Sequence, residues 1–204
     1  MTRIFILKAS EAHASGDFSL KDLPSSSGRL DVVCRCSIAS LLDNQRIRTD
    51  TTFIAVLEGG TRAPLCLEFD GKEIRTIPFS EIAVAGLLRR VLSDGCESGK
   101  KHPVPYWKGV SIERESFAEL LHHSLATGGL YYLHERGEDI RNVNFDLECD
   151  DTFVLGDQKG LSPQEESMLD GLRARRVSVG PLSYLSSQVI TLTQDELDRR
   201  RPRV

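Results

Sequence analysis

Short apolar runs alternate with helix-patterned stretches along most of this chain, and that alternation restricts it to an α/β sheet, mostly parallel, with helices on both faces. Residues 3–9 (RIFILKA) read as the first strand. Residues 51–57 (TTFIAVL) are β-branched and apolar, as a strand buried on both faces would be. Residues 130–134 (LYYLH), 152–155 (TFVL) and 177–179 (VSV) are the later strands. Between them, residues 30–42 carry Leu30, Val33, Cys34, Ile38, Leu41 and Leu42 at helical spacing. Helices are also expected over 81–92, over 112–125 behind a capping Ser111, and over 184–200. The sharpest helix start is Ser162-Pro163-Gln164-Glu165, a capping box with proline in its first helical position. Residues 65–69 and 72–76 flank Asp70-Gly71 and predict a tight hairpin.

The chain has 204 residues, which suits one domain over 1–204. With 40% hydrophobic and 27% charged residues it has a globular composition. No apolar run approaches the ~20 residues that span a bilayer. The N-terminal run turns charged at Lys8, too early for a signal-peptide core. Five cysteines, Cys34, Cys36, Cys66, Cys96 and Cys149, are an odd number without an export signal, and argue for reduced thiols in the cytoplasm. Cys34-Arg35-Cys36 is the one close pair and lacks the doubled spacing of a zinc site, so no metal is expected. The net charge of −4 does not mark a nucleic-acid binder, yet basic residues cluster at Arg89-Arg90, Lys100-Lys101-His102, Arg173/Arg175/Arg176 and Arg199-Arg200-Arg201 with Arg203. Such clusters are either solvated faces or local phosphate contacts, because salt confines a surface field to about 8 Å.

Two strands, FVLG and VSVG, end on glycine and run into loops on either side of the capped helix. In parallel α/β sheets ligands bind beyond the carboxyl ends of strands. Glycine there permits positive φ and close approach to the backbone. LYYLHERG supplies a third strand end, at Leu133. The chain has no G-x-G-x-x-G and no Walker A sequence, so neither a dinucleotide nor NTP hydrolysis is indicated. Val179-Gly180-Pro181-Leu182 offers backbone polar groups among apolar side chains, a setting for a flat, uncharged base. The plainer reading is two ordinary strand-to-loop turns.

Taken together, FSLKDLP…SSGRLDVVCRC, LYYLHERGEDIR and FVLGDQKG…EE…VSVGP..YLSSQVITL…ELDRR resemble, in order and over essentially the whole chain, the archaeal tRNA pseudouridine-54 N1-methyltransferase family, TrmY, of the SPOUT class. The resemblance implies S-adenosylmethionine as methyl donor, tRNA as partner, a homodimer, and a deep trefoil knot in the donor-binding region, about residues 130–204. Carried over position by position, the donor pocket falls on Leu133, Gly156, Val179, Gly180, Pro181, Leu182, Ser183, Tyr184 and Val189. The family pattern YLASHCI stands here as YLSSQVI, so Gln188 and Val189 depart from it. Valine for cysteine keeps an apolar wall; the departures leave open a bacterial-type relative with an altered RNA target.

Methyl transfer to pseudouridine requires N1 to lose its proton, and a nearby carboxylate can accept it or hold the ring. By analogy with the Arg-Pro-Asp segment of the related ribosomal pseudouridine N1-methyltransferases, Ser27-Gly28-Arg29-Leu30-Asp31 supplies Asp31 facing the N1 proton and Arg29 holding a base carbonyl or phosphate. Arg35, one helical turn on, either holds the RNA backbone or pairs with Asp31. The alternative for Asp31 is a carboxylate that merely steadies a helix start. His122-His123 reads as one packed and one exposed residue without a catalytic role. Glu135 and Asp139 either meet the donor's amino group or pair with Arg136 and Arg141; Tyr106 and Trp107 either stack on a base or close the core. Competing functions are a SPOUT enzyme acting on another RNA position or a ribose hydroxyl, and a non-catalytic RNA-binding knot protein.

Overall fold

The computed structural model describes residues 2–44, 46–94, 101–123, 128–146 and 148–201. In chain order these form β1 (Arg3–His13), a 3-10 turn (Leu20–Asp22), α1 (Leu23–Ser26), α2 (Leu30–Leu41), β2 (Leu42–Asp43), β3 (Arg46–Ile47), β4 (Thr51–Gly59), β5 (Leu65–Asp70), α3 (Glu81–Asp94), β6 (His102–Pro103), β7 (Val110–Glu113), α4 (Phe117–His123), β8 (Leu130–Asp139), a second 3-10 turn (Ile140–Asn142), β9 (Asp151–Gly156), α5 (Pro163–Gly171), β10 (Arg175–Ser178) and α6 (Ser186–Arg200). The main sheet has the order β10-β8-β9-β1-β4-β5-β7-β6. Its first five strands are mutually parallel, and β5, β7 and β6 continue it antiparallel.

Side-chain alternation along β1 divides the core. Phe5 and Leu7 point to one face, where they join buried residues of α2, α3 and α6 such as Val33, Leu88 and Ile190. Ile6 points to the other, with Val154 of β9, Leu120 and Leu121 of α4, and Leu169 of α5. Both faces of the sheet are thus covered, as the strand-helix alternation requires.

The strand that opens the antiparallel part differs from the sequence reading. Asp70-Gly71 does turn the chain, but residues 72–76 form no strand, and β5 pairs instead with β4 and β7. A Cβ on Gly71 would lie 2.2 Å from the Arg48 carbonyl oxygen, so this glycine serves close packing rather than a hairpin. Ser111 lies within β7, where Val110 and Ile112 are buried, and caps no helix. The start of α4 belongs to Ser116: its Oγ accepts from the Glu119 N–H at 3.3 Å, and Glu119 Oε2 accepts from the Ser116 N–H at 2.8 Å. His122 and His123 are both exposed, so neither is packed. Trp107 closes the core, edge-on to Phe69, with its indole N–H donating to the Thr76 carbonyl at 3.2 Å. Tyr106 lies under the Arg90 guanidinium, 3.7 Å from the ring centroid.

Cys34, Cys36 and Cys66 are buried, and burial pushes their thiols up. Among the described residues no helix is long and apolar enough to cross a membrane, and no cluster of three metal-ligating side chains occurs. Cys96, the helix stop expected at Gly95, Lys100, Leu125 and Arg203 lie outside the described residues.

Candidate functional site

The carboxyl ends of β9 and β10 and the middle of β8, from Leu133 to Glu135, open into one cavity of about 570 Å³, closed on its far side by the first turns of α2 and α6. Leu133 is not the strand end expected from the sequence, because β8 runs on to Asp139 beside β10. Leu133, Gly156, Val179, Gly180, Leu182, Ser183, Tyr184 and Val189 all line it, as do Arg29 and Arg35. Pro181 and Asp31 do not: Pro181 is exposed on the turn after β10, and Asp31 lies behind the arginines.

The glycines at the strand ends are explained by crowding, not by positive φ. A Cβ on Gly156 would stand 2.3 Å from the Gly160 carbonyl carbon, because residues 156–160 fold back on themselves. The positive φ falls on Gly160, at 70°. A Cβ on Gly180 would meet the Tyr184 ring at 3.1 Å. That turn is held by Ser178, whose Oγ donates to the Gly180 carbonyl at 2.9 Å. The start of α6 is tied to the end of β9 by Ser186, whose Oγ donates to the Gly156 carbonyl at 2.8 Å. Gln188, one of the two departures from the family pattern, caps the same helix: its Oε1 accepts from the Leu185 N–H at 3.0 Å. Val189, the other, is half-buried against the core and presents an apolar wall.

The opposite wall is charged. Arg29 precedes α2 in the left-handed region, with φ 70°. Its Nε and Nη2 donate to the two oxygens of Asp31, at 3.0 and 3.1 Å. Arg35 donates from Nη2 to Asp31 at 2.8 Å and from Nη1 to Glu81 of α3 at 2.8 Å. Of the two roles open to Arg35, pairing with Asp31 is therefore present, while the residue also faces the cavity. Asp31 is only 2% exposed. Burial opposes its charge, but hydrogen bonds from Arg29 and Arg35 outweigh that and hold the carboxyl below its usual range.

The cavity also contains residues that the sequence did not single out: His134, Asp157, Gln158, Lys159 and Glu166. His134 Nε2 lies 3.5 Å from Glu166 Oε1. The DQKG that follows FVLG is the signal that points to Asp157 and Lys159. Glu135 lines the cavity and accepts from the Ser183 hydroxyl at 3.3 Å. Asp139 lies elsewhere, paired with Arg141, whose hydrogen bonds hold its carboxyl at about 2. The two acidic candidates in LHERGED thus part company.

A second, mainly apolar hollow of about 670 Å³ adjoins the first. It shares Arg35, Tyr184, Ser187 and Gln188 with the first and adds Ile38, Leu192 and Phe79, which is 64% exposed.

The walls fit an adenosyl-type group. Apolar Leu133, Leu155, Val179 and Val189 line the cavity, and its volume lies in the range of small-molecule sites. Residues 2–202 match the model of the family described as "Putative SAM-dependent RNA methyltransferase". The tRNA (pseudouridine(54)-N(1))-methyltransferase of Methanocaldococcus jannaschii is 36% identical over 203 residues, covering 98% of each chain. The enzyme of that name from Thermococcus gammatolerans is 38% identical over 200 residues, covering 96% of each. In fold, the chain is similar to Archaeoglobus fulgidus Nep1, solved bound to S-adenosylhomocysteine, with a TM-score of 0.66 at 13% identity over 97% of both chains.

Proposed function

The chain belongs to this SAM-dependent RNA methyltransferase family, and from that premise we propose that it methylates N1 of pseudouridine 54 in tRNA, with S-adenosylmethionine as donor. One observation carries the reading. A single cavity joins apolar strand-end loops from the C-terminal half to a pair of arginines from the N-terminal half, with a buried carboxylate between them.

The donor supplies an electrophilic methyl on a sulfonium that becomes a neutral thioether. Leu133, Gly156, Val179, Gly180, Pro181, Leu182, Ser183, Tyr184 and Val189 form its binding side, with Pro181 contributing through the turn rather than the wall. Arg29, partly exposed and on the cavity side of Asp31, turns to a carbonyl oxygen or phosphate of the acceptor. Its withdrawal removes one of the two cations that hold Asp31 acidic, so the carboxylate gains basicity as it becomes accessible. Asp31 then accepts the N1–H hydrogen bond, keeps the ring in line, and takes the proton as the N–C bond forms. Arg35 remains between both hollows, on Asp31 and Glu81, and meets the RNA backbone. The target base reaches this wall by leaving its stack.

The same reading includes a cytoplasmic homodimer and a knotted C-terminal region. The exposed apolar side chains Phe79 at the second hollow, Ile82 of α3, and Leu182 and Leu185 at the first cavity support the dimer. The test is nucleoside analysis of tRNA from cells with and without the gene. The reading expects 1-methylpseudouridine to disappear on deletion; an unchanged nucleoside profile overturns it.

A further inference from the structure

Lys8 ends the apolar run of β1 and faces the same side of the sheet as Ile4 and Ile6. It is a buried cation near the centre of a parallel sheet, in register with Gly156 of β9 and Val56 of β4. Its Nζ lies 2.7 Å from Glu165 Oε1 and 3.3 Å from both Glu58 Oε2 and the Ser10 hydroxyl. Burial opposes the charge of Lys8, but Glu165 and Glu58 more than offset it. Glu165 is the third residue of α5 and closes its capping box: its other oxygen accepts from the N–H of Ser162, the N-cap, at 2.7 Å. Two residues along β1, the Ser10 N–H donates to Asp157 Oδ2 at 2.6 Å, and the Asp157 N–H donates to the Lys8 carbonyl at 3.1 Å. Asp157 in turn accepts from the Lys159 N–H at 2.9 Å.

The segment from Asp157 to Glu165 is therefore fastened at both ends to residues 8–10 of β1. Residues 157–161 of that segment line the cavity, whereas Lys8, Ser10 and Glu165 do not. We propose that Lys8 is a positioning residue for the methyl donor: by joining the start of α5 to β1 it sets the position of the cavity wall between Asp157 and Leu161. This inference rests on the donor reading of the cavity. Methionine at position 8 fills similar space but leaves Glu58 and Glu165 facing one another without a cation. Asp157 stays on Ser10, while the other end of the segment is released.

The test is calorimetry of S-adenosylmethionine binding to wild type, Lys8→Met and Lys8→Arg, with steady-state kinetics on tRNA. Lys8→Met is expected to weaken donor binding about tenfold, within the range by which residues behind a site modulate it. The KM for donor rises with it, kcat at saturating donor and the KM for tRNA stay near wild type, and Lys8→Arg restores most of the affinity. Glu165→Gln keeps an oxygen to cap α5 and removes the negative charge, and it carries the same expectation where Lys8→Met does not fold. Unchanged donor affinity in a folded Lys8→Met or Glu165→Gln variant overturns the inference, as does a loss confined to kcat. Wild type that binds no donor overturns the donor reading itself, a result distinct from wild-type binding alongside unaffected variants.

Discussion

Arg29 grips both oxygens of the Asp31 carboxylate two residues ahead of it, Nε to Oδ1 at 3.0 Å and Nη2 to Oδ2 at 3.1 Å. The left-handed backbone at Arg29 makes so short a loop possible, turning its guanidinium back over the first turn of α2. The consequence is a carboxylate held charged and screened from the cavity; in the proposed mechanism the acceptor draws Arg29 away.

Asp31→Asn keeps the size and the arginine contacts in part but cannot take a proton. It is expected to bind S-adenosylmethionine as wild type does and to lose about 100-fold in kcat, at the lower end of what a positioned acid–base group contributes. Single-turnover assays with saturating donor check this. An unchanged rate removes Asp31 from the mechanism.

Gly156→Ala puts a Cβ 2.3 Å from backbone of Gly160 and must displace the loop beside the cavity. Donor affinity is expected to fall at least about tenfold, in line with the cost of misplacing a binding group by about 1 Å. Gly171→Ala, where nothing lies within 4 Å, is the control and should leave both affinity and melting temperature near wild type. Calorimetry and thermal melts on the two variants make the comparison.

At the opposite end of the sheet, Arg3 is fully buried and meets Asp198 of α6 at 2.7 Å, and Arg48 donates to the same carboxylate at 2.8 Å. Asp198→Asn removes the nearer of the two carboxylates facing the buried Arg3, leaving Asp50 at 3.8 Å and the Gln194 side-chain oxygen. Asp198 is 37% exposed, so the loss should be about 1–2 kcal/mol, below the ~3 kcal/mol found on breaking a fully buried pair. A lower urea midpoint with an unchanged slope is the expected observation.

Asp151 is buried at the start of β9, with Oδ1 accepting from the Gly129 N–H at 2.8 Å and Oδ2 without a partner among the described residues. Burial, with Asp146 and Asp150 nearby, pushes its carboxyl from 3.8 up to about 6. The folded state therefore holds this proton more tightly than the unfolded chain does. The contribution is fully present below 3.8 and is lost as the pH rises through about 6. Asp151→Asn should remove that part of the pH dependence and raise the melting temperature at pH 7 relative to wild type. Melts at pH 4, 5, 6 and 7 test the sign.

Local signals were the legible ones. The capping box at Ser162 forms with both of its hydrogen bonds, because its partners lie three residues apart. The strand ends at Gly156 and Val179 converge, because parallel strands with covered faces leave their carboxyl ends as the open side. Leu133 joins them in the cavity from within β8, which continues to Asp139 because β10 pairs along it. Partner choice across long separations was not legible. Nothing near residue 70 reveals that β5 pairs with β7 some forty residues later rather than with its own neighbour. Val110-Ser111-Ile112 reads equally as a helix start or as alternating strand until β5 stands beside it. The Arg3–Asp198 pair spans nearly the whole chain, and so does not appear in any local pattern. At the site, Lys8 is visible in sequence only as the end of an apolar run; its task depends on Glu165, which the fold brings over it.

The most direct measurement is mass spectrometry of nucleosides from tRNA incubated with this protein and methyl-deuterated S-adenosylmethionine, with pseudouridine or uridine at position 54. The account predicts one labelled product, methylated on N1 of pseudouridine 54, and no labelled product from the uridine tRNA. Label on a ribose, on another position, or on neither RNA would contradict it.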